Sequence, residues 1–352
     1  MSTVNLMPKK ITVAKKDFEA VIGKGTLWKS VTELMTSDRI TMHLSKEGMS
    51  IGHENKPLIS THTEMCIIAK FPAKNFDKYF CARPFSVSFD AADHNGFIKG
   101  SKKKVKLTIT VTDPEKKVST LGKRIYDLTF VVTSPTGEGT NSESSCTVPC
   151  HEEEPLDWQS PEEDLYRMPV TLNSTSFSQI KTFSNQESKR IMVRTQACPE
   201  PYIGFYVDSG STKKIVKNFG KEMYPAPVYH RDSDGWVYCG VCEEYLDSCE
   251  CVCEVCKKSR KRCNCSCTCG SSSILRKCEC GTNPYEIVER QYPLGALLKL
   301  TKLGNMQLRF YEPKLPGPAL KITFTAAYGS SILGEVEVLI NEAEEINGKE
   351  NK

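Results

Sequence analysis

The 352-residue chain lacks any run of about 18 consecutive apolar residues, so it predicts no transmembrane helix. Its N-terminus, where lysines surround a short apolar stretch, does not have the pattern of a secretory signal peptide. A large excess of one charge is also absent. The formal net charge is only +4, so any contact with nucleic acid must come from local clusters of Lys and Arg. We expect an intracellular protein of two or three domains.

A catalytic constellation is missing as well. The six histidines are dispersed along the chain, and no pair of carboxylates stands out as a general acid and base. Residues 23–30 (GKGTLWKS) share glycine and lysine with a phosphate-binding loop, but the residue directly before Lys29 is not glycine, which excludes that motif. We therefore expect a protein that is not an enzyme.

One pattern is present four times: a short amphipathic segment that carries lysine, followed by a strand of alternating apolar and polar residues. The apolar residues of the helical segments lie three and four positions apart. The four copies, each a helical segment with its strand, are 25–35 with 39–45, 91–100 with 105–111, 174–184 with 190–196, and 294–304 with 306–312. Each helical segment presents lysine on a face that need not be buried, and these residues are Lys29, Lys99, Lys181, Lys299 and Lys302.

An acidic segment, residues 151–164, separates the second copy from the third. It holds seven acidic residues and two prolines but no Lys or Arg, which predicts an extended, exposed linker. Leu156 and Trp158 within it are apolar side chains that a solvated linker would not need. The sequence thus divides into an N-terminal domain (1–150), a connecting loop (151–164) and a C-terminal domain (165–352).

Cysteine is abundant in one place, because 12 of the 17 cysteines lie in a module at about 226–286. Closely spaced cysteine pairs supply thiolates to tetrahedral zinc, and in a reducing compartment metal binding is favoured over disulfides. Twelve thiolates would complete three four-cysteine sites, but bridging would change that partition, so we predict two to three zinc ions. His230 is a spare nitrogen ligand. The predicted ligands are Cys239, Cys242, Cys249, Cys251, Cys253, Cys256, Cys263, Cys265, Cys267, Cys269, Cys278 and Cys280.

The same module contains a group of basic residues. Thiolate-rich zinc sites carry negative charge, so these cations either neutralise the thiolates or contact phosphate, and the spacing leaves both interpretations open. Because few apolar residues are buried in such a module, the metal should supply most of its folding free energy. The basic residues are Lys257, Lys258, Arg260, Lys261, Arg262, Arg276 and Lys277.

Several segments carry a family resemblance. Residues 18–31 look like an opening strand and first helix, and residues 76–89 like the strand before a second helix. Residues 166–177 are similar to the start of a second domain, and 292–340 to a final helix and strands. In this order they resemble the proliferating cell nuclear antigen (PCNA) family of DNA sliding clamps. The resemblance covers most of residues 10–340 apart from roughly 224–286, where the family has no cysteine module.

The resemblance implies an α+β DNA clamp fold, with two similar domains of two βαβββ units each. Three chains would form a pseudo-sixfold ring, placed by a clamp loader on double-stranded DNA of any sequence. The five lysines of the repeat would line the hole and contact phosphates. Strands 126–134 and 212–220 would pair between subunits.

The implied function is that of a processivity factor, which tethers DNA polymerase and other replication or repair enzymes. In this family such partners insert a short peptide beneath the connecting loop. Leu156, Trp158 and Ile340 look placed to form the apolar pocket for that peptide.

Two other interpretations stay open. A subunit of a heterotrimeric clamp, of a checkpoint or viral transcription-factor type, would share the fold but would not form a ring alone. A zinc-dependent nucleic-acid-binding adaptor would carry its function in the cysteine module. A cellular clamp would act in the nucleus. The unusual insertion favours a large DNA virus, whose clamp would act at a cytoplasmic replication site.

Overall fold

The structure is a computed structural model, and its residues group into two compact units. The first comprises Met1–Lys56, Ile68–Trp158 and Ala326–Val336, and the second comprises Pro57–Ile67, Gln159–Thr325 and Glu337–Lys352. The residues that the structure describes are 16–35, 39–53, 65–99, 105–113, 117–120, 122–136, 140–154, 161–167, 169–183, 188–196, 202–208, 214–220, 229–231, 237–239, 288–315 and 317–343.

The N-terminal half of the chain consists of nine strands and two helices. Its elements are β1 (Lys16–Ile22), α1 (Gly25–Thr32), β2 (Arg39–Leu44), β3 (Gly48–His53), β4 (Met65–Pro72), β5 (Lys78–Cys81), β6 (Phe85–Asp90), α2 (Ala91–Lys99), β7 (Lys106–Thr112), β8 (Ile125–Pro135) and β9 (Asn141–Glu153). A 3-10 helix at Ala73–Asn75 precedes β5.

The C-terminal half has the same kinds of element. They are β10 (Val170–Asn173), α3 (Ser174–Phe177), β11 (Arg190–Gln196), β12 (Tyr202–Asp208), β13 (Lys214–Phe219), β14 (Tyr229–Arg231), β15 (Val237–Cys239), β16 (Val288–Pro293), α4 (Leu294–Leu300), β17 (Gln307–Tyr311), β18 (Leu320–Tyr328) and β19 (Ser331–Ile340). Two 3-10 helices lie at Glu163–Leu165 and Ser178–Phe183. Within the described part of the chain, no helix is long and apolar enough to cross a membrane.

The order strand–helix–three strands occurs four times. It runs β1-α1-β2-β3-β4, then β6-α2-β7-β8-β9, then β10-α3-β11-β12-β13, and finally β16-α4-β17-β18-β19. Strand β5 and the hairpin β14–β15 lie between copies. This arrangement confirms the predicted α+β fold class with two βαβββ units in each half of the chain.

Strand pairing is antiparallel, and the two copies in each half exchange their first strands. Strand β1 pairs with β7 of the second copy, while β6 pairs with β2 of the first. The C-terminal half repeats this exchange, since β10 pairs with β17 and β16 pairs with β11. In the N-terminal half the strand order is β4-β3-β2-β6-β9-β8-β7-β1-β5, in which β6 pairs only with the end of β9. In the C-terminal half the orders are β13-β12-β11-β16 and β10-β17-β18-β19.

The alternation in the sequence sets which face of each strand is buried. In β7, Leu107, Ile109 and Val111 are fully or almost fully buried, and the threonines between them are half-buried. Helix α1 covers that side of the sheet with Leu27, Trp28 and Val31. Burial of such side chains contributes roughly 1.5–3 kcal/mol each, which outweighs the modest propensity of this short helix.

Aromatic side chains fill the centre of each unit. In the first unit, Trp28 packs against Phe71 and Phe130, and its Nε1 donates a hydrogen bond to Nε2 of the buried His94 at 2.8 Å. In the second unit, the Phe177 ring lies 5.4 Å from that of Phe205 and 5.5 Å from that of Phe310. Each unit therefore has its own core behind its helices.

The start of the acidic segment differs from the predicted linker. His151, Glu152 and Glu153 are the last residues of β9 and pair with β8 or β6. Glu153 accepts hydrogen bonds from Ser88 Oγ at 2.7 Å and from Lys123 Nζ at 2.6 Å. The Glu153 carboxylate is thus held by Ser88 on β6 and by Lys123, which precedes β8, so the connecting loop begins after β9 and not at residue 151.

Candidate nucleic-acid interface

Lys29 lies on α1 beside the buried Trp28, and 23% of its side chain is exposed. Its Nζ donates a hydrogen bond to the backbone carbonyl of Lys99 at 2.9 Å and lies 3.9 Å from Glu33 Oε1. Because Lys99 ends α2, the ammonium group meets the negative end of that helix. Lys29 thus joins the two helices, a structural role that its sequence position did not indicate.

Lys99 itself has an exposed side chain at the last residue of α2, next to the buried Ile98. Helices α1 and α2 are in contact, so the first unit brings Lys29 and Lys99 together at one place. The arrangement places two lysines at the contact between the helices, and of these Lys99 is exposed.

The second unit places its three predicted lysines in the same relation to its core. Lys181 is exposed in the 3-10 helix Ser178–Phe183, whose Ile180 and Phe183 are buried. Lys299 is half-buried in the last turn of α4, and Lys302 is exposed just after it. Since α4 contacts this 3-10 helix, the second unit also gathers its lysines on adjoining helical elements.

The predicted pocket for partner peptides is only partly within the described residues. Leu156 and Trp158 lie outside them, and Ile340 is fully buried at the end of β19. A fully buried side chain has no surface to offer a partner. In this chain Ile340 is therefore part of the core, and any pocket wall must come from residues around it.

An exposed apolar surface that the sequence did not indicate lies in the second unit. Tyr166 and Pro313 form an isolated antiparallel bridge, and Lys314 N donates to Leu165 O at 2.8 Å. Beside this bridge Leu165 is 39% exposed and Leu315 is 70% exposed. We call Leu165 and Leu315 the leucine pair. The only signal in the sequence is an apolar residue at the end of the acidic segment and another between prolines.

Tyr166 is held firmly beneath this surface. Its hydroxyl donates to Ala319 O at 3.0 Å, and burial raises its pKa to about 12. The ammonium of the buried Lys321 lies 5.6 Å from the Tyr166 ring and 5.7 Å from the Tyr311 ring, with Glu337 at 3.4 Å. This cation–π contact helps to hold Tyr166, and with it the Tyr166–Pro313 bridge, in place.

One of the two predicted subunit edges is wrong. Residues 126–134 belong to β8, which pairs with β7 on one side and β9 on the other, so this strand is internal. Strand β9 pairs with β8 along its length, but only its last three residues pair with β6. Residues 141–150 of β9 therefore pair on one side only among the described strands, and they form an open edge. The other prediction, 212–220, contains β13, which is the terminal strand of its sheet.

The predicted zinc ligands lie outside the described residues, except that the backbone of Cys239 ends β15, opposite Tyr229. In the part of the chain that is described, no group of three possible metal ligands occurs. Of the cysteines outside the module, Cys81 and Cys150 are buried, and burial raises the pKa of the half-buried Cys66 to about 11. Such thiols are protonated and poorly reactive at neutral pH.

Comparison with known proteins identifies the fold. No family model matches the sequence, and no curated protein matches it. Among solved structures, the chain is similar to PCNA from Thermococcus kodakaraensis, with a TM-score of 0.55 and 12% identity. The match covers 93% of this chain and 100% of that one. The chain therefore has a PCNA-like clamp fold.

Proposed function

We propose that this chain is a DNA sliding clamp, a processivity factor that encircles duplex DNA and tethers replication and repair enzymes. The observation that carries the proposal is the fourfold βαβββ repeat, in which the helical segment of every copy carries a lysine that is at least partly exposed. The clamp fold supports the same assignment at the level of architecture. A clamp needs no catalytic centre, so we also propose that the chain is not an enzyme.

The DNA contacts would be electrostatic. Lysine on a helix surface meets phosphates without reading base edges, which permits sliding and makes binding depend on salt. Lys99, Lys181 and Lys302 are exposed, whereas Lys29 must share its ammonium group with the Lys99 carbonyl. We therefore expect Lys29 to contribute less to DNA binding than the exposed lysines.

The ring would close through sheet edges. A neighbour's β13 added to the open edge of β9 would continue the sheet and remove two exposed edges at once. Opposite charges favour this pairing, since β9 carries Glu143 while β13 carries Lys214 and Lys217. Three chains joined in this way would form a homotrimer.

Proline substitutions test this edge with an internal control. Ser144 and Ser145 are neighbours in β9, and in an antiparallel ladder their N–H groups point to opposite sides. Proline at the residue whose N–H faces the open edge should convert trimers to monomers without loss of fold. Proline at the other residue should weaken β8–β9 pairing and so lower thermal stability. Native mass spectrometry and thermal melts separate the two effects, and a trimer in both variants argues against this edge.

Partner enzymes would dock through short peptides at the leucine pair. Exposed leucines next to a rigid Tyr166–Pro313 bridge suit an apolar peptide anchor. Partner polymerases and a clamp loader fit this role.

We also propose, from the cysteine spacing alone, that the module at about 226–286 binds two to three zinc ions. A nuclear or viral replication site is the corresponding location.

Topological retention on DNA tests the proposed function most simply. Protein assembled on a nicked circular plasmid should stay bound through a high-salt wash and be lost when the plasmid is linearised, because a ring slides off a free end. Equal loss from circular and linear DNA would contradict encirclement. If the chain alone is monomeric and binds no circle, the heterotrimeric clamp becomes the better assignment.

A further inference from the structure

Arg290 is a buried cation in the second unit, with 8% of its side chain exposed. Its guanidinium group contacts two segments through three acceptors. Nε lies 3.2 Å from Glu312 Oε1, Nη2 donates to Pro313 O at 3.2 Å, and Nη1 lies 3.5 Å from Glu342 Oε2. One side chain on β16 thus connects the residues that follow β17 with the residues that follow β19.

Glu312 is bound through only one of its two oxygens. Tyr292 donates its hydroxyl hydrogen to Oε1 at 2.8 Å, the same oxygen that Arg290 contacts. Oε2 is buried and has no hydrogen-bond partner within the described residues. A buried carboxylate oxygen without a partner is unfavourable when charged, and a proton would relieve it.

Burial accordingly raises the pKa of Glu312 to about 7, although the Tyr292 hydrogen bond and the Arg290 charge act in the opposite direction. The other charged groups that act on this carboxyl are Glu342, which raises the pKa further, and Arg167, which lowers it. The carboxyl group therefore changes its charge near neutral pH.

Glu342 belongs to the short segment that follows β19. Its side chain is 37% exposed and shares Arg290 with Glu312. One residue later, the Ala343 amide donates to Gln291 O at 2.8 Å. This ion pair and this backbone hydrogen bond both hold the segment against strand β16.

We propose that Arg290, Glu312 and Glu342 form a proton-operated clasp on the segment that follows β19. When Glu312 is ionised, its carboxylate competes with Glu342 for the Arg290 guanidinium group and repels the Glu342 carboxylate. When Glu312 is protonated, Glu342 is the one carboxylate on Arg290 in this cluster, and the ion pair strengthens. The clasp is therefore tighter below about pH 7 and looser above it.

Hydrogen exchange of the full chain, measured by mass spectrometry, tests the clasp at the Ala343 amide. After correction for the intrinsic effect of pH, protection in peptides that cover residues 341–343 should be roughly two- to fivefold greater at pH 6 than at pH 8.5, the range of a partly exposed ion pair. Glu312→Gln should give high protection at both values of pH. Glu342→Gln should give low protection at both.

Glu289→Gln is the matched control, because Glu289 also lies on β16 and pairs with Arg194, outside the cluster. This variant should keep the pH dependence of the wild type. Protection that does not change with pH in the wild type, or that still changes in Glu312→Gln, overturns the proposal. Should Glu312→Gln fail to fold, the wild type and Glu342→Gln decide. The readout needs neither DNA nor a partner, so it stands apart from the clamp assignment.

Discussion

His94 should make the first unit sensitive to mild acid. The side chain is fully buried, and its Nε2 accepts the hydrogen bond from Trp28, which requires a neutral imidazole. The rings of Phe89 and Phe130 lie 5.7 and 4.7 Å away, so the surroundings cannot solvate a charge. Burial lowers the pKa of His94 to about 4, and the contact with Asn95 only partly opposes this.

The direction and size of the change in folding stability with pH follow from proton linkage. The unfolded chain titrates this histidine near its ordinary value, about 6.5, and so takes up a proton first as the pH falls. The stability due to the neutral imidazole is complete above pH 6.5 and is lost progressively down to pH 4. Between pH 7 and pH 5 the loss is about 2 kcal/mol.

Ionisation of Glu312 in the second unit changes the folding stability in the opposite direction with pH. Its pKa in the folded chain is raised, so its contribution is present at low pH and is lost as the pH rises through about 7. The two effects oppose each other in any measurement on the whole chain. A probe inside the first unit is therefore needed to see the effect of His94.

Trp28 is that probe, because it touches His94 directly. In a background with Trp158→Phe and Trp236→Phe, urea unfolding followed by fluorescence reports the surroundings of Trp28. Unfolding free energy should fall by about 2 kcal/mol from pH 7 to pH 5, and His94→Gln should abolish most of that fall. His43→Gln is the matched control and should retain it. An equal fall in His94→Gln and the wild type refutes the reasoning.

Arg290, the helical lysines and the cysteine module can each be tested separately. Arg290→Met leaves the Glu312 carboxylate buried without its cation, so urea unfolding at pH 8 should show a loss of about 3 kcal/mol, with a smaller loss at pH 6. Lys302→Gln should reduce the slope of log affinity for DNA against log salt by about 0.9 and leave the melting temperature unchanged. Lys29→Gln should lower the melting temperature, because the hydrogen bond to the Lys99 carbonyl is lost. Metal analysis should find two to three zinc ions per chain, and a chelator that removes them should leave the Trp28 transition in place; a chain free of metal contradicts the cysteine prediction.

The repeated helix–strand units could be read from the sequence because burial has a period. Apolar residues at positions 107, 109 and 111, and at 27, 28 and 31, mark one face of β7 and one face of α1. Those faces meet in the core, so local pattern and tertiary packing agree. This agreement is why the four units were predictable without a close relative.

The edge strand was mispredicted because β9 has little apolar pattern to show. Most of residues 141–147 are exposed, and only Val148 and Cys150 in the strand are buried. The apolar neighbour β8 gave the stronger signal, but a strand rich in buried residues is more often internal. An exposed edge strand of this kind resembles a loop in composition.

Contacts between distant residues explain the remaining differences. Nothing near Lys29 in sequence indicates that its ammonium group would bind the carbonyl of Lys99, 70 residues away. Likewise, Glu152 and Glu153 read as solvated linker charges until strand pairing brings Arg83 and Lys123 beside them. Pairing across the sheet decides which charges are exposed, and a local composition window does not contain that information.

Electron microscopy of the purified chain tests the central claim most directly. At micromolar concentration, negatively stained particles should average to closed rings with six similar lobes around a hole wide enough for duplex DNA. Single two-lobed particles or open chains of variable length would contradict a self-closing clamp.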